Sequence, residues 1–264
     1  MNVIVDKQAI IDSFSQKAST YEQHANVQQR NAELLTDFIE AEMDFADGPV
    51  LEIGCGTGIF TRKIVNLFPD RHLFVSDISN AMLQQCAENI AHHATSSTVE
   101  FVQLDAEAMR VETKFALIIA SFSLQWVSDF ERTIQNLLEH LLPDGQLILA
   151  VPTNRSFKEW RTQCVRSNIP CTANELPDPN RFLDRVGSLG LSIESTVTDI
   201  ECEFESSLDF FKSLKGVGAS VSTTGGALNG AQLRKLTREW DECSTTVSVT
   251  YSVLSARIRM GGIE

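Results

Sequence analysis

Basic residues are scarce. Twenty-two lysines and arginines stand against 35 aspartates and glutamates, a net charge of −13 over 264 residues. That balance disfavours free nucleic acid as a substrate, because backbone phosphates would be repelled; it leaves open an acidic protein partner docked on a local basic patch. No apolar run approaches the roughly 20 residues of a membrane span. The opening Met1-Asn2-Val3-Ile4-Val5-Asp6-Lys7 also lacks a basic region followed by an apolar one. The expectation is a protein that stays in the cytoplasm, away from membranes. Cys55, Cys86, Cys164, Cys171, Cys202 and Cys243 form no C-x-x-C pair, which argues against a zinc site or a disulfide framework and for reduced thiols. Repeats and low-complexity segments are absent. So is any Ser-His or Cys-His nucleophile pair in recognisable context.

What is present is one apolar run that breaks into alternating glycines: Val50-Leu51-Glu52-Ile53-Gly54-Cys55-Gly56-Thr57-Gly58. It reads as a buried parallel strand, a glycine turn and a helix starting at Thr57. The glycines permit a tight turn and close approach of a ligand, and the helix start adds unpaired N–H groups. A dinucleotide fingerprint, G-x-G-x-x-G, would need a glycine at position 59, where Ile59 stands. The observed E-x-G-x-G-x-G resembles motif I of class I S-adenosylmethionine-dependent methyltransferases; a chance glycine run is the bland alternative.

The flanking segments fit one α/β domain. Residues 7–18 and 25–43 have apolar positions at helical spacing. Between and overlapping them Tyr21, His24 and Gln28 would share a face if the segment is helical, either solvated or facing a ligand. Residues 72–77 read as a second strand ending in Asp77, about 20 residues past the glycines, where a carboxylate accepts from a ribose diol. Asp77 could equally cap the helix expected over 79–90, a role Ser79 can fill. A third strand, 99–104, ends in Asp105, an acceptor for an adenine amine or a surface-loop acid. Residues 115–121 read as the central fourth strand, opening into Ser121-Phe122-Ser123-Leu124-Gln125-Trp126 at the carboxyl edge, where open α/β sheets bind ligands. A helix over 129–142, a turn at Pro143-Asp144-Gly145 and a fifth strand over 146–152 follow. Five strands and four crossover helices over 48–151 make a doubly wound sheet. Beyond it, 154–177 reads as irregular, 180–189, 207–215 and 231–242 as helices, 220–230 as a polar glycine-rich loop, and 191–204 and 245–256 as the last strands.

Further along, the likeness narrows. Phe14, Ala18, Tyr21, His24, Ala25 and Gln28, the Ser121–Trp126 run, Phe210-Phe211-Lys212-Ser213-Leu214-Lys215-Gly216-Val217-Gly218-Ala219 and Val249-Thr250-Tyr251 with Val253-Leu254 are similar to the malonyl-[acyl-carrier protein] O-methyltransferase family. The resemblance implies a Rossmann-like, doubly wound, seven-stranded, mostly parallel sheet with N-terminal helices and a helical lid. It divides the domain into a cap (1–46), a cofactor-binding core (48–152), substrate-side insertions (153–245) and a last strand (246–260). It implies methyl transfer from S-adenosylmethionine to the carboxylate of malonyl-acyl carrier protein, in a monomer that needs no metal. The implied cofactor set is Glu52, Gly54, Gly56, Gly58, Asp77, Ile78, Met82, Asp105, Ala106 and Ser121. Tyr21 and His24 would close the site, and Gln125 and Trp126 would line the transfer pocket.

Some cation must hold the acceptor carboxylate. Arg155, just past the fifth strand, is the first candidate, since an arginine fork binds a carboxylate bidentately; Lys212 and Lys215 are rivals, each otherwise a solvated cation. Lys158, Arg161 and Arg166 are further candidates for a patch facing an acidic carrier protein. Two other functions share these motifs: methylation of a small free acid or quinone precursor, and a catalytically inert S-adenosylmethionine-binding partner.

Overall fold

A computed structural model describes residues 6–91, 93, 97–222, 226–243 and 245–259. Residues 223–225 of the glycine-rich loop and the closing 260–264 lie outside them. Helices α1 (Lys7–Ser15) and α2 (Asn26–Glu40) precede an alternation of β1 (Val50–Ile53), α3 (Thr61–Leu67), β2 (His72–Asp77), α4 (Asn80–Ile90), β3 (Thr98–Gln103), β4 (Phe115–Ser121), α5 (Phe130–Glu139) and β5 (Leu141–Pro152). Then come α6 (Lys158–Arg166), α7 (Pro179–Ser188), β6 (Ser192–Phe204), α8 (Ser207–Gly216), α9 (Gly230–Asp241) and β7 (Val247–Arg259). The strands form one seven-stranded sheet in the order β3-β2-β1-β4-β5-β7-β6. Strands β1 to β5 run parallel, and β7 is antiparallel to both neighbours.

The continuous apolar runs follow from burial on both faces. Along β4, Leu117 and Ile119 pack on the side of α2 and α3, while Ile118 and Ala120 pack on the side of α5 and α7. Strand order reverses between β1 and β4, which opens a crevice at their carboxyl ends.

Four expectations need correction. The helix after the glycine turn begins at Thr61, not Thr57, because Gly58 adopts φ +91°, which a helix does not accommodate. Among the described residues the connection from β3 to β4 carries only a 3₁₀ turn, Ala106–Ala108, so three crossover helices rather than four serve the parallel strands. Helix α5 stops at Glu139, and Pro143-Asp144-Gly145 lies inside β5 as an irregularity: Phe115 pairs with Leu141, yet Leu117 pairs with Gln146. The stretch expected to be irregular contains α6, which Phe157 introduces in the left-handed conformation.

Candidate functional site

The three motif glycines all have positive φ, +72° at Gly54, +56° at Gly56 and +91° at Gly58, but for different reasons. A Cβ at Gly54 would lie 2.3 Å from the Ser123 Cβ, and one at Gly58 2.9 Å from the Cys86 Sγ; at Gly56 it would meet nothing within 4 Å among the described residues. The outer glycines let β1 and the turn pack against their neighbours, and the middle one leaves a backbone that a ligand can approach. Asp77 braces that backbone. Its Oδ2 accepts the Gly56 N–H at 2.9 Å and its Oδ1 the Ser79 N–H at 2.8 Å. Burial pushes the Asp77 carboxyl up, against the pull of these N–H groups. Ser79, not Asp77, caps α4, through the Met82 N–H.

Gly54, Gly56, Asp77, Ile78, Met82, Asp105 and Ala106 line a cleft of about 120 Å³, roofed by Lys7, Ile10, Ile11 and Phe14 of α1. Lys7 Nζ lies 2.7 Å from Asp105 Oδ2 and 2.5 Å from Glu107 Oε2. Three residues expected in the cofactor set stand behind this cleft instead. Glu52 is 2% exposed and its Oε2 accepts the Thr61 hydroxyl at 2.7 Å, so it ties β1 to α3 beneath the turn. Gly58 packs on α4, and the Ser121 hydroxyl accepts from Asn31 Nδ2 at 2.9 Å.

A second, larger cavity of about 1180 Å³ adjoins the cleft. Phe14, Tyr21, Phe122 and Trp126 border both. Phe14 and Trp126 meet edge to face with centroids 5.3 Å apart. Burial, then the charges of Asp77 and Glu22, push the Tyr21 hydroxyl well above its ordinary value, so it is neutral. His24 and Gln125 also line the larger cavity. Gln125 Nε2 donates to the Phe122 carbonyl at 2.8 Å, and its Oε1 is buried without a partner among the described residues.

The cation candidates divide. Lys215 lines the larger cavity. Arg155 borders neither: its side chain reaches Asn180 Oδ1, 3.2 Å away. Lys212 is paired with Asp209 at 2.8 Å on the exposed side of α8. Sequence reasoning missed Arg30, which lines the cavity and donates to the Glu201 carbonyl at 2.6 Å. No local motif signals it, because its position depends on α2 crossing the edge of β6.

Comparison with known proteins gives the same reading. Residues 50–145 match the family model described as a methyltransferase domain. The chain is 30% identical over 209 residues to a malonyl-[acyl-carrier protein] O-methyltransferase of Calditerrivibrio nitroreducens, covering 79% of this chain and 78% of that protein. It is 30% identical over 254 residues to the biotin biosynthesis bifunctional protein BioCD of Bordetella avium; 96% of this chain is covered, and it spans 53% of that protein. The N-methyltransferase NodS from Bradyrhizobium japonicum, solved with S-adenosyl-l-homocysteine, shares the fold with a TM-score of 0.54 at 15% identity over 96% of this chain and 99% of that one. Sheet order, glycine turn and crevice thus define a class I S-adenosylmethionine-dependent methyltransferase. Within that class the chain belongs to the malonyl-[acyl-carrier protein] O-methyltransferase family.

The cleft fits the methyl donor of this class. The open space at Gly56 receives a ligand against bare backbone, and two carboxylates, Asp77 and Asp105, face the cleft as acceptors for hydroxyl and amine hydrogens. Its volume of about 120 Å³ is small beside ligand sites of roughly 300–1,000 Å³. Helix α1 roofs it.

Proposed function

We propose that the protein methylates the free carboxylate of malonyl carried on acyl carrier protein, giving the methyl ester that primes pimeloyl synthesis for biotin. The observation that carries this reading is the junction at which Phe14, Tyr21, Phe122 and Trp126 border both cavities. A donor on one side and an acceptor on the other meet there without a protein nucleophile between them.

When bound, S-adenosylmethionine supplies an electrophilic methyl on a positively charged sulfur. Asp77 and Asp105 would hold its ribose and adenine, and the Gly56 backbone would border it. The acceptor carboxylate, ionised above a pKa of roughly 4, needs no general base. An O–CH₃ bond forms as the S–CH₃ bond breaks, and the two opposite charges cancel. The aromatic walls assist by excluding water, and alignment of the reactants is worth on the order of 7–11 kcal/mol. Tyr21 and His24 close the site, while Gln125 and Trp126 line the transfer pocket. Lys215 or Arg30 holds the carboxylate charge, in place of Arg155.

Incubation with labelled S-adenosylmethionine and malonyl-acyl carrier protein, beside malonyl-coenzyme A and free malonate, tests the reading. Base-labile label on the carrier protein is expected. Label on the small acids alone would replace the carrier-bound acceptor with a free one, and tight donor binding without transfer would make the protein an inert partner.

A further inference from the structure

The segment carrying Tyr21 and His24 is a single 3₁₀ turn, Tyr21–Gln23, with no side-chain cap of its own. What holds it is Glu22, which follows Tyr21. Glu22 Oε1 accepts from Thr57 Oγ1 at 3.0 Å, Arg62 Nη1 at 3.1 Å and Asn89 Nδ2 at 3.1 Å, and its Oε2 accepts from Arg62 Nη2 at 2.9 Å. The donors come from three places: Thr57 from the glycine turn, Arg62 from α3 and Asn89 from α4. Asn89 Nδ2 also reaches the Thr57 carbonyl at 2.8 Å. Glu22 itself borders neither cavity. Its neighbours do: Tyr21 borders both, and His24 lines the acceptor side, its ring so close to α8 that a Cβ at Gly216 would lie 2.3 Å from it.

We infer that Glu22 is a positioning residue: its carboxylate latches the Tyr21–His24 cover to the glycine turn, so that seating the donor and closing the site are one event. Most ion pairs at this degree of exposure contribute little, but a bidentate fork within a network of further donors is the exception. One carboxylate accepts from Thr57 in the turn that faces the donor and from two helices behind it. A shift of that turn is therefore passed to the cover without an intermediary. The inference rests on the proposed methyl-donor site.

Calorimetric titration with S-adenosylhomocysteine separates the two. Glu22→Gln keeps the shape but loses the charged fork, and is expected to bind about tenfold more weakly than wild type. In wild type, saturating S-adenosylhomocysteine should protect the peptide bonds around Tyr21 from limited proteolysis; in Glu22→Gln this protection should disappear. Arg62→Gln should reproduce both effects, and the double variant should bind no more weakly than either single one. A merely structural carboxylate would lower the melting temperature and leave affinity and protection as in wild type, which overturns the latch. Failure of the wild-type protein to bind S-adenosylhomocysteine overturns the donor site and the latch with it.

Discussion

A methyl group added at Gly54 would sit 2.3 Å from the Ser123 Cβ, whereas the same methyl at Gly56 would meet nothing within 4 Å among the described residues. Gly54→Ala therefore combines a steric clash with left-handed backbone strain and should cost about 2–4 kcal/mol in urea denaturation. Gly56→Ala meets only the backbone penalty, about 1–2 kcal/mol. It should fold and yet titrate with a large loss of affinity for S-adenosylhomocysteine, because its methyl points into the ligand's space. Equal loss of stability in both variants would refute the division of labour between the two glycines. Glu52 gives a residue-scale prediction of another kind. Burial, with the charge of Asp77 adding to it, pushes its carboxyl from an ordinary 4.5 up to about 8, and the bond from Thr61 opposes the shift. The folded chain thus keeps a proton that the unfolded chain has released. The stability this lends is complete below pH 4.5 and is lost as pH rises toward 8, with a slope of at most about 1.4 kcal/mol per pH unit. Glu52→Gln, which cannot titrate, should show a shallower fall in unfolding free energy between pH 5 and 8 whatever its absolute stability.

At the scale of elements, the acceptor side hangs on one side chain. Phe210 of α8 is fully buried among Phe157, Trp160, Phe204, Phe211 and Trp240, with centroids 5.0–6.2 Å away. These rings come from α6 and the residue before it, α8, α9 and β6, so the insertions meet in one aromatic cluster that joins the core on the α2 and α3 side of the sheet. Phe210→Ala should cost about 3–5 kcal/mol. Hydrogen exchange should speed up in α6, α8 and α9 while β1 and β4 stay protected. What the sequence made legible follows the same division. Strand β4 is readable because two-sided burial writes itself as a nearly unbroken apolar run, and the glycines name their turn because few residues accept positive φ. The start of α3 is misread because Ile59 and Phe60 are apolar at helical spacing while the backbone at Gly58 is not helical. Helix α6 escapes because Val165 is 82% exposed, which breaks the amphipathic pattern. The side-chain direction of Arg155 is not legible for a simpler reason. Proximity to a strand end fixes where a backbone lies, and the choice of Asn180 as side-chain partner depends on where α7 docks.

Across the whole molecule, α1 is the bridge between the two halves of the site. Lys7 binds Asp105 and Glu107 beside the donor cleft, and the Ser15 hydroxyl meets that of Ser79 at 2.8 Å. On the other side Ser13 Oγ donates to the Gly218 carbonyl at 2.9 Å, just past α8 on the acceptor side. Phe14, between these attachments, borders both cavities and rests on Trp126. In the proposed function α1 covers the donor and also helps to wall the acceptor, so a ligand that fixes α1 in place spares the other ligand part of that ordering cost. Donor product and acceptor should then tighten each other by the same factor, about fivefold or more, because linkage between equilibrium affinities is reciprocal. Titrating S-adenosylhomocysteine with and without a malonyl-pantetheine thioester, and then in the reverse order, measures both arms of the cycle. Phe14→Ala removes the α1 side chain among the four that border both cavities, while leaving the attachments through Lys7, Ser13 and Ser15. It should bring the factor toward one with each separate affinity lowered far less. Independent binding in the wild-type protein would mean that α1 roofs the donor cleft alone and that the two cavities merely adjoin.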